Sequence, residues 1–272
     1  MSDCIGSHFI LDGNILPVAD FNEHLFARKE AIYEVLRVEE SVPLFIEDHL
    51  NRLVSTHQLS NLRVILDVDT MYGYICKLIK TNHHASGPVK IFLDNEHVLV
   101  YLMKPYLPKP IEYVTGVETT LMQEERFNPT AKIWNPELRE KTVKLLNEKS
   151  VYEIILVNKD GFITEGSRSN VFLIRDNMLC SAPRNTVLPG ITREKVIKIC
   201  SSAGIQVREE LIHRTNLKEF EVMFLTGTSR KIVPVRRVDD LEFKIKNKIL
   251  QQISEEFEQL VNRYILSHKA GC

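Results

Sequence analysis

Three prolines within six residues, Pro105, Pro108 and Pro110, interrupt this chain where neither a helix interior nor a central strand tolerates them. Such a stretch reads as a linker, and the hydrophobic pattern changes across it. Before it, residues 9–11 and 15–16 flank Asp12-Gly13-Asn14 as a hairpin. Residues 33–38 and 43–46 read as strands, and Leu50, Leu53, Val54 and His57 recur at helical spacing within a helix over 47–60. A second helix over 71–80 and a hairpin of 89–93 with 98–103 complete this half. Beyond the linker come a helix over 136–149, strands over 152–157, 162–164 and 171–174, and a helix over 190–203 closed by Gly204. A strand over 222–225 and an amphipathic helix over 241–265 end the chain. At 272 residues two domains are expected, 1–110 and 111–272. Strands and helices do not alternate as in a doubly wound sheet, so the class is α+β.

The composition, 44% apolar and 26% charged, is that of an ordinary globular protein. A net charge of −1 offers no footprint for sequence-independent binding of nucleic acid, which is excluded as a partner. No apolar run approaches the roughly 20 residues of a membrane span, and Met-Ser-Asp-Cys-Ile-Gly lacks the pattern of a secretory signal. Five widely spaced cysteines (Cys4, Cys76, Cys180, Cys200, Cys272) without a C-x-x-C pair point to reduced thiols and a cytoplasmic protein. No nucleotide-binding glycine motif and no G-x-S-x-G elbow is present. His83-His84 lacks the spaced partners of a metal site, so no metal is expected.

The residues with chemical promise are few. Lys132 lies between Pro129 and Pro136, two residues before the chain's one tryptophan, Trp134. Apolar neighbours can desolvate an amine and make it nucleophilic toward an aldehyde, although one solvated lysine among many is the plainer alternative. Glu165 ends a strand in a turn rich in Gly and Ser, where carboxylates are usually solvated or act as caps. Together, a Schiff-base lysine and an acid that keeps a pyridine nitrogen protonated are what a pyridoxal phosphate enzyme needs. Arg52 follows His49 by three residues on a helix, and Glu34 on the preceding strand can join them to orient a guanidinium for phosphate. A surface ion-pair set is the simpler reading of that pattern alone. Leu188-Pro-Gly-Ile191-Thr192-Arg opens a helix whose first N–H groups suit an anion, and Thr226-Gly-Thr228-Ser offers a second cluster of hydroxyls.

Taken in order, these segments resemble the class IV aminotransferases, the pyridoxal phosphate family that includes branched-chain aminotransferase, D-amino-acid aminotransferase and aminodeoxychorismate lyase. The likeness is carried by Asp48-His-Leu-Asn-Arg52-Leu, Lys132-Ile-Trp-Asn135, Glu165-Gly-Ser-Arg-Ser-Asn170-Val-Phe172, Leu188-Pro-Gly-Ile-Thr-Arg193 and Phe224-Leu-Thr-Gly-Thr228. It implies a two-domain fold of type IV, with a small N-terminal domain and a larger pseudo-barrel domain that binds the cofactor. It also implies that Lys132 tethers the cofactor and then shuttles a proton. Glu165 would pair with the ring nitrogen, Leu188 would pack on the ring, and Arg52, the amides of Ile191 and Thr192, and Thr228 would hold the phosphate. Tyr33 matches a substrate-pocket aromatic. Substrates would be an amino acid and a 2-oxo acid, and the assembly a homodimer.

Three departures fall on the substrate side. Arg28-Lys29-Glu30 precede Tyr33 where the family commonly has Gly-Asp-Gly or Gly-Asp-Ser. Lys90 to His97 replace a segment that often ends Arg-Gly, and Pro136 follows Asn135 in place of a tyrosine or arginine. Arg37, Arg184 and Arg230 are the candidates for a substrate carboxylate. Transamination is the leading reading. Release of pyruvate and 4-aminobenzoate from aminodeoxychorismate is the alternative, and a non-catalytic cofactor-binding scaffold is a second.

Overall fold

The computed structural model describes residues 3–22, 30–269 and 272. Arg28 and Lys29 lie outside the described residues. The chain divides into two units, one of Met1–Tyr106, Ala131–Pro136 and Leu260–Cys272, the other of Leu107–Thr130 and Glu137–Gln259.

The first unit holds β1 (Cys4–Leu11), β2 (Asn14–Pro17), β3 (Ile32–Glu39), β4 (Val42–Pro43), β5 (Gly87–Leu93) and β6 (Val98–Met103), with α1 (Ile46–Gln58) and α2 (Val68–Thr81). The strands form an antiparallel sheet in the order β2-β1-β6-β5-β3-β4. Strand periodicity splits β3 between two faces. Ile32, Glu34, Leu36 and Val38 are fully buried, whereas Tyr33, Val35, Arg37 and Glu39 are half-buried. Ile32, Leu36, Ile91 and Leu93 join Leu50, Leu53, Ile75 and Leu78 of the helices in one core. A second cluster gathers Phe9, Phe92 and Tyr101, with Tyr33 and Trp134 packed against it. Residues 131–136 dock at the start of β3: Ile133 bridges Ile32, and the Tyr33 amide donates to the Lys132 carbonyl at 3.1 Å.

The second unit carries a ten-stranded sheet of β7 (Val117–Gln123), β8 (Glu153–Val157), β9 (Phe162–Gly166), β10 (Asn170–Arg175), β11 (Met178–Ser181), β12 (Val207–Glu209), β13 (Ile212–His213), β14 (Val222–Gly227), β15 (Lys231–Val238) and β16 (Leu241–Glu242). Its order is β12-β11-β10-β14-β15-β7-β8-β9-β13, with β16 paired to β15. The helices are α3 (Glu112–Thr115), α4 (Pro136–Lys149), α5 (Ile191–Ser202) and α6 (Lys248–His268), and α6 continues into residues of the first unit. Among the described residues no helix is long and apolar enough to cross a membrane.

Three expectations are corrected. The strand over 43–46 is only Val42–Pro43, because Phe45 turns left-handed (φ 53°) and Ile46 already begins α1. A short apolar run fits either element, and here it is a buried turn. The last helix starts at Lys248 rather than 241. Residues 241–242 are a strand, and Asn247 accepts the amides of Ile249 and Leu250 at 2.9 and 3.2 Å, which fixes the helix start. The cysteines are not all thiols, since Cys76 and Cys272 form a disulfide while Cys4, Cys180 and Cys200 are free. A pair separated by 196 positions leaves no local spacing signal, and it forms because residues 260–272 return to the unit that contains α2.

Candidate active site

In the first unit the chemistry gathers where α1 meets β3. Arg52 grips Glu34 with both arms, Nε to Oε2 at 2.9 Å and NH2 to Oε1 at 2.6 Å. His49 Nδ1 lies 3.1 Å from the same Oε1. The set is buried rather than on the surface, with Glu34 and His49 at 0% exposure. Burial would raise the Glu34 carboxyl, but the Arg52 charge and the His49 hydrogen bond outweigh it and hold the group far below the usual carboxylate range. Burial lowers the His49 imidazole against the pull of Glu34. Lys132 is placed by its backbone: its amide donates to Thr56 Oγ1 on α1 at 3.2 Å, and its carbonyl accepts from Tyr33. Its Nζ lies 4.9 Å from the centre of the Tyr33 ring.

In the second unit Glu165 is buried near the end of β9. Its Oε1 lies 2.9 Å from Arg126 Nε, and its Oε2 accepts the Leu188 amide at 3.3 Å. Leu188 also accepts Asn170 Nδ2 at 2.8 Å, and Asn170 sits opposite Thr226 across β10 and β14. Two residues on, Gly190 opens α5. A Cβ there would lie 2.0 Å from Asn170 Oδ1, so only glycine allows the turn to rest on the Asn170 amide. No side chain caps α5, and Ile191 and Thr192 in its first turn are buried. One loop therefore connects the Glu165 acid to an uncapped helix N-terminus, with Thr228 just beyond the end of the neighbouring strand β14.

The three arginines considered for a substrate carboxylate all have acidic neighbours. Arg37 Nε pairs with Glu39 at 2.6 Å, and Arg230 NH1 donates to the fully buried Glu153 at 2.5 Å. The Arg184 guanidinium lies 3.6 Å from Glu194, and its side chain is largely exposed.

The sequence model of the family described as "Amino-transferase class IV" matches residues 31–238. The chain belongs to the class IV aminotransferases. Aminotransferases of this family are pyridoxal phosphate enzymes that exchange an amino group between an amino acid and a 2-oxo acid. The chain is 29% identical over 250 residues to a probable branched-chain-amino-acid aminotransferase of Thermotoga maritima, covering 89% of this chain and 90% of that protein. A solved structure from Thermotoga maritima, a putative branched-chain amino acid aminotransferase, superposes with a TM-score of 0.80 at 27% identity over 94% of this chain and 96% of that one. A putative 4-amino-4-deoxychorismate lyase of Legionella pneumophila gives 0.75 at 20% identity over 85% and 91%. That last likeness is one of fold and does not separate the two chemistries.

The donor set of this aminotransferase fits its cofactor. The α5 N-terminus and the buried Thr226 hydroxyl, which has no partner among the described residues, suit a phosphate. A buried acid suits a ring nitrogen, and a lysine on an aromatic face suits an aldehyde.

Two residues were not anticipated. Arg126 stands in a charged run, and nothing local marks it as the partner of Glu165. Lys90 is 5% exposed, with Nζ 4.3 Å from the centre of the Trp134 ring and 5.6 Å from those of Tyr33, Phe92 and Tyr101. A lone charge in the apolar run Val89-Lys-Ile-Phe-Leu93 was the available signal.

Proposed function

We propose that this aminotransferase takes branched-chain amino acids as donors, with Lys132 and Glu165 serving the cofactor. The observation that carries the cofactor seat is the Leu188 amide, which joins the Glu165 acid to the turn opening α5. Pyridoxal phosphate, when bound, supplies a ring that takes up the electrons released at the substrate Cα. Lys132 Nζ would be the base that moves a proton between the substrate Cα and the C4′ carbon of the bound cofactor. The Tyr33 ring beside it limits where that nitrogen can reach. Glu34 fixes the plane of the Arg52 guanidinium, so its donors meet a phosphate in one orientation. The amides of Ile191 and Thr192 and the Thr228 hydroxyl complete the anion seat.

On the substrate side, Lys90 is the cation we assign to a carboxylate. The rings of Phe92, Tyr101 and Trp134 around it form an apolar wall suited to a branched side chain. The likeness to the probable branched-chain-amino-acid aminotransferase of Thermotoga maritima supports the same substrate class. A homodimer in the cytoplasm completes the proposal, and equilibrium sedimentation tests its stoichiometry.

The decisive experiment offers leucine, isoleucine, valine and D-alanine with 2-oxoglutarate, and aminodeoxychorismate in a separate arm. Turnover of the branched donors is expected. Release of 4-aminobenzoate, or preference for D-alanine, would overturn the assignment. Lys132→Ala should remove the visible absorbance of the holoenzyme and lower turnover by at least about 10²-fold, the lower end for a lost general base. Retention of both would show that another group does this work.

A further inference from the structure

We infer that Arg126 is a positioning residue for the cofactor ring, acting through Glu165. This rests on the reading above that Glu165 meets the ring nitrogen. A carboxylate that is 3% exposed, left alone, would give up its charge rather than bear the cost of desolvation. Arg126 Nε stands 2.9 Å from Glu165 Oε1, while its NH2 donates to the Ser167 carbonyl at 2.7 Å. The second bond anchors the guanidinium on the turn between β9 and β10, two residues from the acid it serves. The other oxygen, Oε2, accepts the Leu188 amide. One oxygen thus faces the guanidinium charge and the other a backbone donor, which restrains the carboxylate before any ligand arrives.

An arginine suits this task because its charge is permanent and its donors are held in a rigid plane. It also moderates the acid. A carboxylate that already shares its charge with a guanidinium is a weaker base than a bare one in the same place. It can then hold a ring N–H without being neutralised by it. Arg126 meets the acid and the turn that follows it, and its effect on the ring is inferred to pass through Glu165.

That restriction gives the test. The dissociation constant of pyridoxal phosphate is measured by titration of the full-length cofactor-free protein for wild type, Arg126→Gln, Glu165→Gln and the double variant. Arg126→Gln is expected to weaken binding roughly 10- to 100-fold, the scale of a close contact to a charged group. In the Glu165→Gln background the same change should cost less than about threefold. Arg126→Lys, which restores charge without the two-armed grip, should recover part of the loss. Equal losses in both Glu165 backgrounds overturn the inference, because a purely structural arginine costs the same with or without its acid. Should Arg126→Gln fail to fold, the cycle is run with Arg126→Lys and read in the same way. If Glu165→Gln binds the cofactor as wild type does, the underlying reading of Glu165 fails and the inference with it. Equal losses leave that reading standing.

Discussion

The imidazole of His49 is enclosed by Glu34 and Arg52, and the charge of Lys132 also reaches it. Burial lowers its proton affinity below the ordinary 6.5, and the Glu34 hydrogen bond recovers only part of that. Between the folded value and 6.5 the unfolded chain binds a proton that the folded chain refuses, so stability rises with pH in that window. Glu34 has the same sign in a lower window. Its contribution is complete above the ordinary carboxylate range and is lost as pH falls toward its depressed folded value. The first unit should therefore lose stability in two stages on acidification, first from His49 and then from Glu34. His49→Gln is expected to flatten the urea-midpoint profile below pH 6.5 and above the carboxylate range, where one such group contributes at most about 1.4 kcal/mol per pH unit. The lower stage should survive in that variant. A profile unchanged in that window would show that His49 titrates as it does in the unfolded chain.

Elements differ in how openly the sequence declares them. Helices α1, α2, α4 and α5 are legible because each buries one stripe, as with Leu50 and Leu53 on α1 or Val196 and Ile199 on α5. Strand β7 escapes notice because Val-Glu-Thr-Thr-Leu-Met-Gln has no clean alternation, and its parallel partners β8 and β15 lie far along the chain. Pairings escape for the same reason. The segment 165–170 names its acid, but Arg126 meets that acid only after a whole sheet has formed. The opening of α5 shows the opposite case, a local signature whose physical cause is long-range. Leu-Pro-Gly is readable as a helix start, yet its glycine is required by Asn170 on β10. Gly190→Ala should push the Asn170 amide off the Leu188 carbonyl and shift the first turn of α5. The expected costs are about 1–3 kcal/mol of stability, the range for a buried group left unpaired, and weaker phosphate binding. Chemical denaturation and a titration with inorganic phosphate measure both. A variant with wild-type values in each would mean that the turn is free to move.

At the scale of the whole chain, the Cys76–Cys272 disulfide joins two residues 196 positions apart, and Cys272 packs against the core that also holds Met71 and Ile75. Closing so long a loop restricts the unfolded chain far more than the folded one, which on chain-entropy grounds stabilises by up to about 5 kcal/mol. The bond is not the only fastening there. The Tyr264 hydroxyl donates to Glu47 at 2.7 Å and accepts the Ile46 amide at 3.1 Å, while its ring meets Phe45 at 4.8 Å. These contacts hold residues of the C-terminal segment against the start of α1, the helix that carries His49 and Arg52. Reduction should therefore leave the first unit folded at room temperature and lower its thermal midpoint. Cys272→Ser should reproduce that lower midpoint and make it insensitive to reductant. Thiol titration in denaturant gives an independent reading: three reactive thiols before reduction, from Cys4, Cys180 and Cys200, and five after it. Five thiols without reductant, in protein purified under air with no prior reductant, would mean that the tail is held by Tyr264 and its neighbours alone. The midpoint would then not move on reduction.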